Sequence, residues 1–281
     1  MTGATVGIGV ATVLRLAGAG FDVIGTARSQ QKEDGLVAAV GARGRSLRTV
    51  VVDGAVFLCR GDGRGRPGGG VWALVNNAGV PQAGSIEDVS DEQARHLLEV
   101  NLLGAMRICR LALPQMRQRG GGRIVNVSSG LGRVPWPLGG WYSASKHALS
   151  ALTHCLRVEM AHAGVRVSFV EPGAFATAML DRAVDDLVAA DRGGAVGYDR
   201  SRALFGAVNA HVPGPEPVAR TIEKALTSPR PRARYTVGFD ARLLVPLHAV
   251  SPLWLSDWVK HTVSGLPRKA PARAGVVKEW A

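Results

Sequence analysis

Cysteine is scarce and scattered: Cys59, Cys109 and Cys155 are odd in number, far apart, and form no C-x-x-C pair. That excludes a disulfide-framed mini-protein and a thiol grip on zinc, and it fits a reducing, cytoplasmic setting. Long apolar runs are missing too. No stretch approaches the roughly 18 uninterrupted apolar residues of a membrane span, and MTGATVGIG lacks a basic segment leading into an apolar one, so neither spanning nor export is expected. His96, His147, His154, His162, His211, His248 and His261 fall in no H-E-x-x-H pattern, and no metal site is expected. Acids are the minority charge, 22 Asp+Glu against 34 Lys+Arg for a net +12, which raises nucleic acid or anionic membrane as partners. The excess gathers in RGDGRGRPGGG at 60–70 and in the last fifth of the chain. No stacking aromatic lies within 60–70, and basic loops and a solvated tail are favoured over a nucleic-acid surface.

What is present is a core-forming composition, 46% hydrophobic over 281 residues, enough for one large α/β domain. No repeat and no linker divides it. Residues 1–267 read as one nucleotide-binding domain with a substrate loop at about 178–215, and 268–281 as a flexible tail. Strand-length apolar runs alternate with helix-period segments, the signature of a parallel sheet covered by helices. Val10, Val13, Leu14 and Ala17 form a first helical stripe, followed by the strands FDVIGTA, LRTVVVD and VWALVNNAG. Ser90 with Gln93 makes a capping box that opens a long helix through Met116. GRIVNVSS is the next strand, Leu149, Leu152, Leu156 and Met160 line a helix beginning near Tyr142, and RVSFVEPG is a strand again. Val218, Ile222, Ala225 and Leu226 give a further helix before a last strand, ARYTVG.

Two places break the alternation. GAVFLCRGDGRGRPGGG at 54–70 carries seven glycines and a proline where a helix belongs, so a disordered loop or a local frame error is expected there. At the front, a glycine turn that should follow a strand follows only Met1.

That turn begins the chemistry. Gly3, Gly7 and Gly9 in TGATVGIG open a helix whose N-terminal N–H groups suit a pyrophosphate, with Thr2 and Ile8 beside them. Asp53 and Asn77, Ala78 and Gly79 stand at the carboxyl ends of later strands, where such a sheet binds its ligand. Tyr142 and Lys146, four apart at a helix start, share a face; an ammonium beside a phenol favours the phenolate, so the spacing predicts a lowered phenol pKa and a general acid/base. Ser129, at a strand end thirteen residues earlier, can donate to a substrate oxygen next to that hydroxyl.

Together these motifs resemble the short-chain dehydrogenase/reductase family, in order from Thr2 to Thr177: TGATVGIG, NNAG, Asn101 in VNLLG, Ser129 in NVSSG, YSASK, and Pro172-Gly173 with Thr177. The resemblance is closest to the hydroxysteroid and retinol dehydrogenase branch. It implies a Rossmann-like, doubly wound parallel sheet, a homodimer or homotetramer, and hydride transfer between a nicotinamide and an alcohol or carbonyl carbon. By it, Tyr142 exchanges the hydroxyl proton, Ser129 holds the substrate oxygen, Lys146 binds the nicotinamide ribose and Asn101 positions a relay water. Pro172, Gly173 and Thr177 close over the nicotinamide. The family's first strand is absent ahead of Gly3, so a start upstream of Met1 is expected.

Cofactor choice hangs on GTARSQ, where Arg28 stands in place of an acid and suits a 2′-phosphate, favouring NADP(H) over NAD(H). Val134, Trp136, Leu138, Trp141, Phe175 and Met179 could line an apolar pocket for a lipophilic alcohol or ketone, although core packing explains some of them equally well. Trp254, Leu255 and Trp258 beside basic residues fit either weak contact with a membrane surface or a short amphipathic helix packed on the domain. The competing readings are a truncated, inactive relative that only binds nucleotide, and a basic nucleic-acid binder on the same fold.

Overall fold

The computed structural model describes residues 1–27, 29–43, 47–51, 71–190 and 197–266. Parallel strands rise through it in the order β2(Arg48–Val51), β1(Ile24–Ala27), then β3(Ala73–Asn76), β4(Gly122–Val127), β5(Val165–Pro172) and β6(Arg234–Val237). β1 pairs with β2, and β3 to β6 form a four-stranded sheet, every pairing parallel. Arg28, Asp53, the glycine-rich 54–70 segment and the 268–281 tail lie outside the described residues.

The seam between the two sheets is where the sequence reading puts a preceding strand. Residues 1 and 2 bridge it: the Met1 amino group donates to the Ile24 carbonyl at 2.6 Å, Thr26 N–H donates to the Met1 carbonyl at 3.2 Å, and Thr2 N–H donates to the Val75 carbonyl at 3.0 Å. Met1 is buried at that point.

Alternation along the strands sends side chains to two cores, as the two-residue period of a strand requires. Val75, Val125 and Val170 face α1(Ile8–Gly18), α2(Gln30–Gly41) and α8(Glu216–Thr227), meeting Val13, Leu16, Leu36 and Ile222. Leu74, Ile124 and Val167 face the other way, onto Ile108, Ala112 and Met116 of α4(Ala105–Gln118). A third cluster of Ala83, Leu138, Leu187 and Tyr198 sits beneath α6(Ala178–Ala190) and α7(Tyr198–His211). The Tyr198 hydroxyl donates to Asp88 and accepts from Ser85 N–H, tying that helix pair to the loop after β3.

The capping box forms as the sequence predicts: Ser90 Oγ accepts from Gln93 N–H, and Gln93 answers on Ser90 N–H. It opens α3(Asp91–Leu98), but the helix does not run straight to Met116. Over Glu99–Gly104 it widens to i→i+5 bonding before resuming as α4, a local bulge of the kind often met at functional sites. α5(Gly140–Glu159) follows β4.

Candidate active site

The glycine turn is built by its neighbours. Thr2 Oγ1, with Thr2 only 2% exposed, accepts two backbone N–H bonds from the turn after β3, Asn77 at 2.9 Å and Ala78 at 2.8 Å. Asn77 Nδ2 donates back to the Gly3 carbonyl at 3.0 Å, and Gly3 N–H donates to Thr26 Oγ1 at 3.3 Å. Gly3 has φ +59°, with backbone atoms of Ala78 within 3.1 Å of where a Cβ would sit; a Cβ on Gly9 would lie 1.9 Å from the Gly3 carbonyl oxygen. Only glycine permits this closure. Across the turn, a Cβ on Gly7 would meet Thr177 Cγ2 at 3.0 Å, which brings Thr177 to the glycines. Ile8, the first residue of α1, packs against the core.

Buried polar groups fix α5 to the sheet. Asn76 on β3 donates to Asn126 on β4, which donates to Thr153 on α5 at 2.8 Å. Ser128 bonds Ser150 Oγ at 3.1 Å and donates to the Lys146 carbonyl at 3.3 Å. Each such bond costs little to keep and much to break, because a buried orphan donor or acceptor loses its hydration. The first turns of α5 are thereby held beside the end of β4, where Ser129 stands.

The Ser129 side chain lies near enough to the Tyr142 hydroxyl to lower its pKa. Lys146 Nζ, one turn along, is buried, donates to the Val127 carbonyl at 3.2 Å and lies 5.7 Å from the centre of the Tyr142 ring. The Tyr/Lys spacing predicts a lowered phenol pKa, and the structure corrects this. Burial pushes the Tyr142 phenol up to about 12, the Ser129 side chain opposing it, while burial pulls the Lys146 ammonium down to about 8. The ammonium lies over the ring and donates to the Val127 carbonyl rather than to the phenol oxygen, and desolvation is the larger influence on the phenol. At neutral pH the phenol keeps its proton.

Asn101, buried in the widened helical turn, clamps the loop after β3: Oδ1 accepts from Val80 N–H at 2.8 Å, and Nδ2 donates to the Val80 carbonyl at 3.0 Å and to Ser145 Oγ at 3.1 Å. Ser145 in turn donates to the Tyr142 carbonyl at 2.7 Å, joining that clamp to α5. Gly79 lies against both Asn101 and Lys146, since a Cβ there would be 3.3 Å from Asn101 Oδ1 and 3.4 Å from Lys146 Nζ. Pro172 ends β5 and Gly173 follows it. Gly173 N–H donates to the Val237 carbonyl at 2.7 Å, and Asp240, in the first turn of α9(Phe239–Val250), accepts from Ala174 N–H at 2.7 Å. Sequence reasoning missed Asp240 because an acid at a helix start reads as ordinary dipole complementation.

Of the substrate candidates, Trp136 is half-buried in the loop after Ser129, which ends in Leu138 at φ +58°. Phe175 is buried and packs in the core cluster with Val170, Val218 and Val237. The sequence signal for it was hydrophobicity alone, which does not separate a core from a pocket. Met179 does reach the site, its Sδ accepting from the Tyr142 hydroxyl at 3.8 Å.

A glycine turn and helix N-terminus at the carboxyl edge of a parallel sheet define the class of α/β fold that takes a dinucleotide there. The pattern of the short chain dehydrogenase family matches residues 1–187. Similar proteins include human 17-beta-hydroxysteroid dehydrogenase type 6, 38% identical over 205 residues, and retinol dehydrogenase 16 of Mus musculus, 34% over 217. The matched segments cover 68% and 72% of this chain and 63% and 67% of those proteins. A short-chain dehydrogenase from Streptomyces avermitilis superposes with a TM-score of 0.71 at 32% identity, over 93% of this chain and 96% of that one. This chain belongs to the short chain dehydrogenase family.

Proposed function

We propose that the chain is an NADP(H)-dependent oxidoreductase that interconverts a lipophilic primary or secondary alcohol, steroid- or retinol-like, and its carbonyl compound. The observation that carries this reading is Lys146 one helical turn from Tyr142, its Nζ 5.7 Å from the ring centre, with Ser129 near the phenol and Gly79 against Lys146 Nζ.

The turn around Gly3, Gly7 and Gly9 fits a pyrophosphate, since its glycines let the backbone close tightly at the start of α1, whose N-terminal N–H groups suit an anion. Asn77, Ala78, Gly79, Lys146, Pro172, Gly173 and Thr177 would hold the nicotinamide half, and Arg28 and Asp53 the adenosine half. A bound nicotinamide supplies the hydride donor or acceptor. Ser129 holds the substrate oxygen. Tyr142, whose phenol desolvation holds above its ordinary pKa, donates its hydroxyl proton to that oxygen as a carbonyl is reduced and receives one when an alcohol is oxidised. Lys146 orients the ring and answers a developing phenolate. Asn101 holds the loop at Val80 and thereby the approach to Lys146.

NADP(H) rests on Arg28, the cation after β1, and the lipophilic substrate on the named relatives and on the apolar residues near Tyr142. We place the chain in the cytoplasm as a homodimer or homotetramer, and Trp254 and Trp258 make weak membrane contact part of the same reading. The test is a screen of hydrophobic alcohols and ketones with either dinucleotide, followed at the reduced-nicotinamide absorbance band. Turnover is expected with NADP(H), and Arg28→Ala should weaken NADPH far more than NADH. Nucleotide binding without turnover of any such compound would assign a non-catalytic module instead.

A further inference from the structure

The stretch that follows β5 joins two parts of the site. At its start, a Cβ on Gly130, the residue after Ser129, would lie 3.6 Å from the Pro172 carbonyl oxygen. At its end, Thr177 packs against Gly7 of the glycine turn. Residues 173–177 therefore run from the loop that bears Ser129 to the turn that opens α1. A molecule that reaches from that turn to the Tyr142 hydroxyl passes beside this stretch, whose placement sets where the molecule's reacting end lies.

Three of its amides are tied down. Gly173 N–H donates to the Val237 carbonyl at 2.7 Å, Ala174 N–H to Asp240 Oδ2 at 2.7 Å, and Ala176 N–H to the Pro213 carbonyl at 3.0 Å. Two of these acceptors are main-chain carbonyls, whereas Asp240 is a side chain reaching across from the first turn of α9. An acid at that position complements the helix dipole wherever its carboxylate points. The space around this one is more particular. A Cβ on Gly173 would fall 2.0 Å from Asp240 Oδ1, and a Cβ on Gly238 2.6 Å from the same oxygen. Glycines just past β5 and just past β6 thus leave the slot that the carboxylate fills, and Gly238 takes φ +106°, which favours glycine. Next to Asp240, Ala241 meets the other side of the site, its Cβ 3.4 Å from where a Cβ on Gly130 would sit. The first turn of α9 is wedged between the Ser129 loop and residues 173–174.

We propose that Asp240 is a positioning residue for hydride transfer: by holding the Ala174 amide it fixes residues 173–177, and with them the nicotinamide end of the dinucleotide relative to Ser129 and Tyr142. Asp240 acts through the main chain and touches neither substrate nor dinucleotide. The assignment rests on the dinucleotide site proposed above. A displacement of about 1 Å between reacting groups costs on the order of 100-fold in rate. The glycine turn that would grip the phosphates lies at the far end of the stretch, so a loosened Ala174 should spoil alignment before it spoils phosphate binding.

The test compares Asp240→Ala and Asp240→Asn with wild type, each as the full chain. Asparagine keeps an acceptor oxygen for the Ala174 amide and alanine does not. Measured on each are kcat and KM with whichever of NADP(H) and NAD(H) wild type binds more tightly, and the thermal midpoint. The dissociation constants of that dinucleotide and of the matching ADP-ribose fragment, which lacks the nicotinamide, are measured in parallel. Asp240→Ala should lose roughly 10- to 100-fold in kcat and bind the dinucleotide at least about threefold more weakly, while the fragment binds as it does to wild type. Asp240→Asn should recover most of both losses. An Asp240→Ala chain with the kcat of wild type overturns the proposal, as does an Asp240→Asn chain as impaired as the alanine variant. A fall in thermal midpoint with equal losses of dinucleotide and fragment affinity also overturns it, and marks Asp240 as a support of the fold alone. A wild-type chain that binds the dinucleotide but turns over no alcohol or ketone refutes the proposed function instead. The inference is then decided by the two affinities: it holds if Asp240→Ala loses the dinucleotide and keeps the fragment, and fails if both are unchanged.

Discussion

Replacing Thr2 by valine keeps the side-chain shape and removes one oxygen. That oxygen accepts the Asn77 and Ala78 amides at 2.9 and 2.8 Å, and Thr2 itself is buried. Valine leaves both N–H groups without this acceptor, at about 1 to 3 kcal/mol for each buried orphan. Asn77 and Ala78 are themselves partly exposed, so water recovers some of the loss and the expected total is about 2 to 4 kcal/mol. Against a typical domain stability of about 5 to 15 kcal/mol this is large. The same two amides hold the turn that presses on Gly3, so dinucleotide affinity should fall with stability. Urea denaturation and a fluorescence titration with NADPH measure the two effects, and Thr2→Ser, which restores the oxygen, should recover most of both. A Thr2→Val chain within about 0.5 kcal/mol of wild type, the range of an ordinary surface substitution, would refute the reasoning.

Two other outcomes follow from the geometry. Gly9→Ala sets a Cβ 1.9 Å from the Gly3 carbonyl oxygen, a backbone atom that cannot rotate away, so dinucleotide affinity should drop roughly 10- to 100-fold; an unchanged dissociation constant would show that the turn is not the cradle. Glu171, fully buried on β5 beside Arg234 and Thr236, has its carboxyl pushed from an ordinary 4.5 up to about 7 by burial, with Arg133 and Thr236 opposing. A raised carboxyl favours the protonated folded state, so wild-type stability should fall as pH rises from about 4.5 to about 7, by at most about 3 kcal/mol. Glu171→Gln should flatten that slope in denaturation curves taken across the window, and equal slopes would contradict the assignment.

The strands and the motif-bearing turns were legible because they are written locally. The Ser90/Gln93 capping box, the Gly3–Gly9 turn and the 3.6-residue stripe of α5 need only near neighbours to define them. The helical bulge at Asn101 was not legible, since it is set by what Asn101 clamps at Val80, 21 residues away. The Asn76–Asn126–Thr153 ladder escaped for the same reason: an asparagine in an apolar run has no visible partner until the strands are side by side. Phe175 and Met179 looked alike as apolar residues after Pro172, yet one is core and the other touches Tyr142. The phenol pKa was read in the wrong direction because spacing reveals a nearby cation and says nothing of burial.

The claim beneath all of this is that the Tyr142 hydroxyl exchanges the proton of the reacting oxygen. Tyr142→Phe removes that hydroxyl and leaves the ring and the glycine cradle in place. Measured on one preparation, kcat should fall roughly 100- to 10,000-fold while the dissociation constant for NADPH stays near that of wild type. Turnover undiminished in the variant would contradict it.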